Sequence, residues 1–411
     1  MASIPSTGGG TGSSATVVAP ASAAGARIAS EVERTGSPAP RSGLSPVAPR
    51  GAAPETPHGR GAASNPAGRF ERLHYIADDE TLESDRIERG PDAAAPRLAT
   101  LYLRDPSRSA ISTNDSPDIG FSTSLNPYRG CEHACAYCYA RPTHEYLGFS
   151  AGLDFETRIL VKEEMPQLLR KELSGRRWQP QVIALSGVTD AYQPIERKLG
   201  ITRRCLRVLL EFRNPVSIVT KNALVTRDTD LLGELAQLDA ASAHLSITTL
   251  DPKLARALEP RASQPHQRLV AIEKLARAGI PVGVLVAPVI PGLNDHEIPA
   301  ILAAARDAGA TSAGMILLRL PHGTRDLFAE WLEIHRPERK QRVLSRIRDV
   351  RGGKLNETRF GSRMRGEGLY ARQLQDLFEL QRRRANLDAP QRTLSVEHFR
   401  RPEDAQLDLF D

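Results

Sequence analysis

Six short β-rich runs alternate with helix-length segments between residues 119 and 318, and that alternation leaves few folds open. The runs are 120–125, 182–185, 216–220, 243–248, 282–287 and 313–318. Between them, residues 201–212, 229–238, 266–278 and 297–307 carry apolar side chains at helical spacing. Strands joined by crossovers of this length pair in parallel, so the pattern predicts an α/β fold of βαβ units, as an open sheet or a partial (β/α)6 barrel. Gly279, followed by Ile280 and Pro281, is expected to stop the third helix. In both architectures chemistry collects at the C-terminal ends of the strands. The unusual words of the sequence fall there: a cysteine loop after the first run, Ser186-Gly187-Val188-Thr189-Asp190 after the second, and Thr220-Lys221-Asn222 after the third.

The flanks read differently. Residues 1–65 are Gly, Ala, Ser and Pro with scattered arginines, a composition that buries too little apolar surface to offset its ordering entropy, so a disordered arm is expected. A charged extension, 66–118, leads into the barrel at 119–324. Residues 325–388 read as a basic helical region, and 389–411 as a flexible tail. No run of about 18 apolar residues is present, and nothing at the start resembles a secretory signal. The expectation is therefore no membrane partner and a reducing, cytoplasmic setting. The net charge of +6 agrees with a polyanionic partner but does not by itself select one.

Three of the four cysteines lie within eight residues: Cys131, Cys135 and Cys138, spaced C-x3-C-x2-C, with Tyr137 before the third. Three thiols are too many for one disulfide and one too few for a closed four-cysteine site. Soft thiolates select zinc or iron–sulfur. The residues alone leave open a zinc site with His133 or His144 as fourth ligand, a reactive thiol, or a [4Fe–4S] cube with one iron free of protein ligands.

On these residues the chain resembles the radical S-adenosylmethionine (SAM) superfamily. Asn126-Pro127-Tyr128-Arg129-Gly130, together with residues 186–196, resembles the branch containing spore photoproduct lyase. The resemblance implies that Cys131, Cys135 and Cys138 hold [4Fe–4S], whose open iron chelates SAM. It further implies one-electron cleavage of SAM to a 5′-deoxyadenosyl radical, and hence a one-electron reductant as partner. Tyr137 is then expected against the adenine. Ser186, Gly187, Thr189 and Asp190 would face SAM's amino group, Ser246 and Thr248 the ribose or carboxylate, and Pro288 the adenine edge. Lys221 and Arg319, at strand ends, are candidates for a carboxylate or phosphate, and Arg261 is expected to point inward. Cys205 lies in a helical apolar pattern and is read as a buried structural thiol, which sets this chain apart from a lyase with an added hydrogen-donor cysteine.

The tail carries Gln406-Leu407-Asp408-Leu409-Phe410, which resembles the pentapeptide by which bacterial repair proteins dock on the DNA sliding clamp. Gln406 would orient the segment, with Leu407, Leu409 and Phe410 as anchors. Arg336, Arg339, Lys340, Arg342, Arg346, Arg348, Arg351 and Lys354 offer a surface for DNA phosphates. The expected function is radical SAM chemistry on nucleic acid, in the manner of lesion repair. The alternatives are radical modification of tRNA or protein, and a non-catalytic, metal-stabilised clamp-binding scaffold.

Overall fold

The computed structural model describes residues 56–70, 98–389 and 393–402. Among them run β1 (Leu101–Arg104), β2 (Ile111–Thr113), β3 (Thr123–Leu125), β4 (Tyr128–Arg129), β5 (Arg158–Val161), β6 (Ile183–Leu185), β7 (Val216–Thr220), β8 (Ala241–Ser246), β9 (Val282–Val289) and β10 (Ser312–Leu317). The main sheet has the order β10-β9-β8-β7-β6-β3-β2. Its six strands from β3 to β10 are parallel, and β2 pairs antiparallel with β3 at one edge. Each of the six expected runs is one of these parallel strands. A small sheet, β1-β5-β4, stands beside them.

Local chemistry explains the pattern. β7 reads Val-Ser-Ile-Val-Thr and buries every second residue, as a strand with one face on a core does. The helix Ile201–Phe212 buries Ile201, Cys205, Leu206, Val208, Leu209 and Phe212 on one stripe. The helix Pro265–Arg277 ends as expected: Gly279 takes φ +73°, and the Ile280 N–H returns to the Leu275 carbonyl at 3.1 Å.

The sheet order is open, yet its two edges are joined. Asp118, in the loop between β2 and β3, pairs with Arg363 at 2.5 Å and accepts the Gly361 N–H at 2.6 Å. The short helix Ser362–Arg365 packs against β10, the opposite edge. A contact between a loop of one edge and a segment lying on the other requires the sheet to curl, which gives the partial barrel.

Two expectations about the flanks need correction. Composition predicts that the disordered arm includes residues 56–65, but Arg60, Gly61 and Ala62 are buried. Their backbone amides and guanidinium find fixed acceptors, which a composition argument does not see. The tail was expected to be free from residue 389, but residues 393–402 are docked. Phe399 lies 6.3 Å from Phe212 between ring centres, the Arg400 N–H donates to the Phe212 carbonyl, and Arg401 reaches the carbonyls of Gly175 and Trp178. These partners precede β7 and β6, so the strap lies at the N-terminal ends of the strands, opposite the cysteine loop. Gln406, Leu407, Leu409 and Phe410 lie outside the described residues. The basic region, too, is part of the core: Phe328, Trp331, Leu332, Val343, Leu344 and Ile347 pack with Cys135, Ala136 and Tyr137.

Candidate active site

The cysteine loop leaves β3 and is built around backbone bonds that fix each thiol's position. The Cys131 N–H donates to the Phe155 carbonyl at 2.9 Å, and the Ala136 N–H to the Leu258 carbonyl at 3.0 Å. All four cysteines are free thiols. Cys131 and Cys138 meet beside Phe155, and Cys138 also packs toward Cys135 and Tyr137. Burial, with Glu259 as the next cause, pushes the Cys135 thiol well up from its usual value. Burial and the neighbouring Cys131 raise Cys138 to about 11.

This donor set fits an iron–sulfur cluster. Three adjacent thiols, two buried and the Cys138 one half-buried, become thiolates together when bound cationic metal offsets their mutual repulsion. Among the described residues no three His, Cys, Asp or Glu side chains converge at the spacing of a single ion. The two histidines near the loop are held by other partners as well, with His133 also bonded to Cys131 and His144 Nδ1 buried without a partner. His133 turns Nδ1 to Asp190 at 3.3 Å and Nε2 to Asn222 at 3.1 Å. His144 Nε2 meets the Arg158 carbonyl at 2.9 Å. Burial works to lower the His133 pKa, but Asp190 and Cys131 outweigh it and raise the value to about 10.

A buried ion pair braces the loop from behind. Arg141 sends Nε and Nη2 to the Cys135 carbonyl at 3.1 and 2.8 Å, Nη1 to the carbonyls of Ala151 and Gly152, and Nη2 to Glu156 at 2.5 Å. Glu156 in turn accepts the N–H groups of Gly61 and Ala62 at 3.0 and 2.9 Å. A Cβ on Gly61 would stand 1.9 Å from the Ala134 carbonyl oxygen, so only glycine fits there. Glu132, also fully buried, accepts from Tyr102, Arg261 and the Ile195 N–H, while its own N–H donates to Gln193. Arg261 thus points inward as expected, toward the loop's second residue.

The strand ends form a linked circuit around these thiols. Asn126, after β3, accepts the N–H groups of Gly187, Val188 and Thr189 on its Oδ1 at 2.9, 3.0 and 3.4 Å. Ser186 sits at φ +85° with its hydroxyl on the Thr189 carbonyl, so this turn is held in a conformation that L residues seldom adopt. Lys221, after β7, donates to the Ala287 carbonyl of β9 at 2.9 Å and lies 5.9 Å from the centre of the Tyr137 ring. Glu259 accepts from Tyr137, Thr248 and Arg268 and faces Lys221 at 3.7 Å. Burial alone would raise its pKa, but Arg268 and Lys221 hold the carboxyl down at about 2. Arg319, after β10, lies 5.4 Å from the centre of the Tyr139 ring, and Tyr139 donates to the Gly187 carbonyl at 2.6 Å.

The predicted residues therefore assemble, but not all with the expected role. Asp190 is not free to face an amine: its carboxylate takes His133, Thr220, the Lys221 N–H and the Tyr192 N–H. Thr248 spends its hydroxyl on Glu259, at 2.5 Å, and on the Ala287 carbonyl, so it braces the wall rather than presenting a free group. Tyr137 is buried, with its phenol on Glu259 and Thr248. Ser246 is buried at the end of β8, and its carbonyl accepts from Arg268 at 2.8 Å. Pro288 lies in β9 and its carbonyl accepts from Asn294 at 3.1 Å. Cys205 is fully buried in the core, on a helix away from the loop. Sequence reasoning does not single out Arg141, Glu156 or Tyr139, and it notes Glu259 only as flanking a turn after the fourth strand run. Arg141 and Tyr139 did carry a signal, since both lie within three residues of the third cysteine.

Comparison with known proteins agrees with this construction. A family model described as the radical SAM superfamily matches residues 125–305. Uncharacterized proteins of Mycobacterium bovis and Mycobacterium tuberculosis are 38% identical over 234 residues, covering 56% of this chain and 68% of theirs. One from Methanocaldococcus jannaschii is 33% identical over 174 residues, covering 42% and 62%. Among solved structures, a variant of spore photoproduct lyase shares the fold with a TM-score of 0.50 at 17% identity, covering 70% of this chain and 80% of that one. With three thiols on the first strand-end loop and this match across the barrel, the chain belongs to the radical SAM superfamily, enzymes whose cofactors are a [4Fe–4S] cluster and S-adenosylmethionine.

Proposed function

We propose that the chain is a radical SAM enzyme acting on nucleic acid, in the manner of lesion repair. Cys131, Cys135 and Cys138 would hold the cluster. When bound, cluster and SAM supply a one-electron cleavage that yields a 5′-deoxyadenosyl radical able to abstract hydrogen. The observation that carries the cofactor part is the circuit joining the cysteine loop to the strand ends. Asn126 gathers three N–H groups of the 187–189 turn, which directs the turn's carbonyls away from Asn126, where an ammonium would be received. The Gly187 carbonyl is further fixed by Tyr139. Lys221 presents the ammonium nearest Tyr137 and suits a carboxylate. Arg141 and Glu156 keep the Cys135 carbonyl and its loop from relaxing when the thiols bind metal.

The nucleic-acid part rests on the resemblance of residues 126–130 and 186–196 to the spore photoproduct lyase branch, and on exposed Arg339, Arg342, Arg346 and Arg348 along the helix Pro337–Asp349. The clamp-like tail supports a DNA setting. Three residues separate the docked Pro402 from Gln406, so a clamp would be held close to the barrel end opposite the cysteine loop. Free thiols and a one-electron reductant suit a cytoplasmic location. The deciding experiment reconstitutes the protein anaerobically and follows deuterium from labelled oligonucleotides, normal and lesion-bearing, into 5′-deoxyadenosine. Transfer from a lesion strand is expected. Transfer only from tRNA or a protein substrate, or a colourless protein that forms no 5′-deoxyadenosine, would sink the reading.

A further inference from the structure

Arg319 is a guanidinium beside the site with no ion-pair partner among the described residues. It follows β10 directly and is half-buried. Its Nε is buried and has no hydrogen-bond partner, and its Nη1 meets the Met364 sulfur at 3.5 Å. Among the described residues no carboxylate lies within ion-pair distance of it. The acid whose charge acts on it, Asp118, is engaged by Arg363 and the Gly361 N–H. Arg351, its other cationic neighbour, is buried and sends Nη1 and Nη2 to the carbonyls of Leu317, Leu318, Ser362 and Arg363, while its Nε, like that of Arg319, has no partner.

An idle buried donor costs free energy, and here it adds to like-charge repulsion from Arg351 and Arg363. Such an arrangement is relieved by an oxyanion that accepts from the guanidinium fork. The surroundings suit a nucleotide strand. Tyr139 lies under Arg319 and is 48% exposed, Phe360 is 60% exposed under Arg363, and Val188 is 40% exposed on the 187–189 turn. Exposed aromatic faces next to a cationic donor are what stacked bases and their backbone need.

We infer that Arg319 is the anchor for a backbone phosphate of the substrate strand, with Tyr139 and Phe360 as the apolar platform for its bases. This rests on the proposed action on nucleic acid and assigns that substrate's contact at the mouth.

The test measures binding of labelled single-stranded DNA to the reconstituted holoenzyme by fluorescence anisotropy. One strand carries phosphodiester linkages and the other neutral methylphosphonates. Arg319→Gln is expected to weaken the phosphodiester strand about 10-fold and to lower the salt dependence by about one phosphate contact. Arg319→Lys should recover part of the loss, and the methylphosphonate strand should bind wild type and Arg319→Gln equally. Unchanged phosphodiester binding in Arg319→Gln overturns the inference, as does an equal loss for the neutral strand. Loss of SAM affinity in its place, read by equilibrium dialysis, would assign the guanidinium to SAM's carboxylate and also overturn it. A wild-type protein that binds no DNA or RNA strand defeats the nucleic-acid reading itself.

Discussion

The guanidinium of Arg141 meets the carboxylate of Glu156 at 2.5 Å, and neither side chain is exposed to solvent. This pair ties three separated pieces of chain together: the Cys135 carbonyl, the 151–152 carbonyls and the 61–62 amides. Removing one partner leaves the other charge buried and unpaired. Arg141→Met or Glu156→Gln alone should cost about 3–5 kcal/mol. The double variant should cost less than the sum of the two. Denaturant unfolding of the three variants, read as a double-mutant cycle, checks it; additive losses would mean the pair is not coupled.

Asn126 holds the 187–189 turn through a single oxygen. Asn126→Ala frees three N–H groups and should raise the SAM dissociation constant about 10-fold, while the iron content after reconstitution stays near wild type. Equilibrium dialysis with SAM, alongside iron and sulfide analysis, measures both quantities. Loss of iron together with SAM affinity would show that Asn126 shapes the cysteine loop as well.

Cys205 is enclosed by Ile201, Leu206 and Leu209 of its own helix and their core neighbours. Cys205→Ala should keep 5′-deoxyadenosine formation and lower stability by about 1 kcal/mol, the effect of a small cavity. If the variant forms its cluster but stops turning over substrate, the thiol has a role in hydrogen transfer that its burial argues against.

His144 supplies a pH dependence with a definite sign. Burial is the main cause that lowers its pKa to about 4, against an ordinary value of about 6.5. The unfolded chain therefore takes the proton first as pH falls. Stability is full above roughly 6.5 and declines as pH drops toward 4, by about 3 kcal/mol at most. Urea midpoints of the metal-free protein between these limits should fall, and His144→Gln should flatten that slope.

The tail motif follows the docked strap, residues 393–402, in the sequence. Deleting residues 406–410, or Phe410→Ala, should abolish capture of a bacterial sliding clamp while leaving cluster content and SAM cleavage as they are. Surface plasmon resonance on immobilised clamp reads the first effect. Equal clamp binding by the deletion and the full chain would discard the motif.

Taken alone, the sequence determined the strands, the helices between them and the thiols. Periodicity is local: an apolar residue every second position in 216–220, or helical spacing in 201–212, needs no knowledge of the rest of the chain. The cysteine spacing is local as well, so the site's centre was legible. Tertiary structure decided which polar groups are free and which are committed. Asp190 and Thr248 look from sequence like ligands of a cofactor, but folding brings His133 and Lys221 to the one, and Glu259 and Ala287 to the other. Residues 60–62 look like part of a featureless arm until Glu156, nearly a hundred residues on, supplies acceptors for the Arg60 guanidinium and the amides of Gly61 and Ala62. Arg319 is the converse case, a guanidinium whose buried Nε the fold leaves without a partner. A side chain's availability depends on partners distant in sequence, and only the folded chain brings them within hydrogen-bond reach.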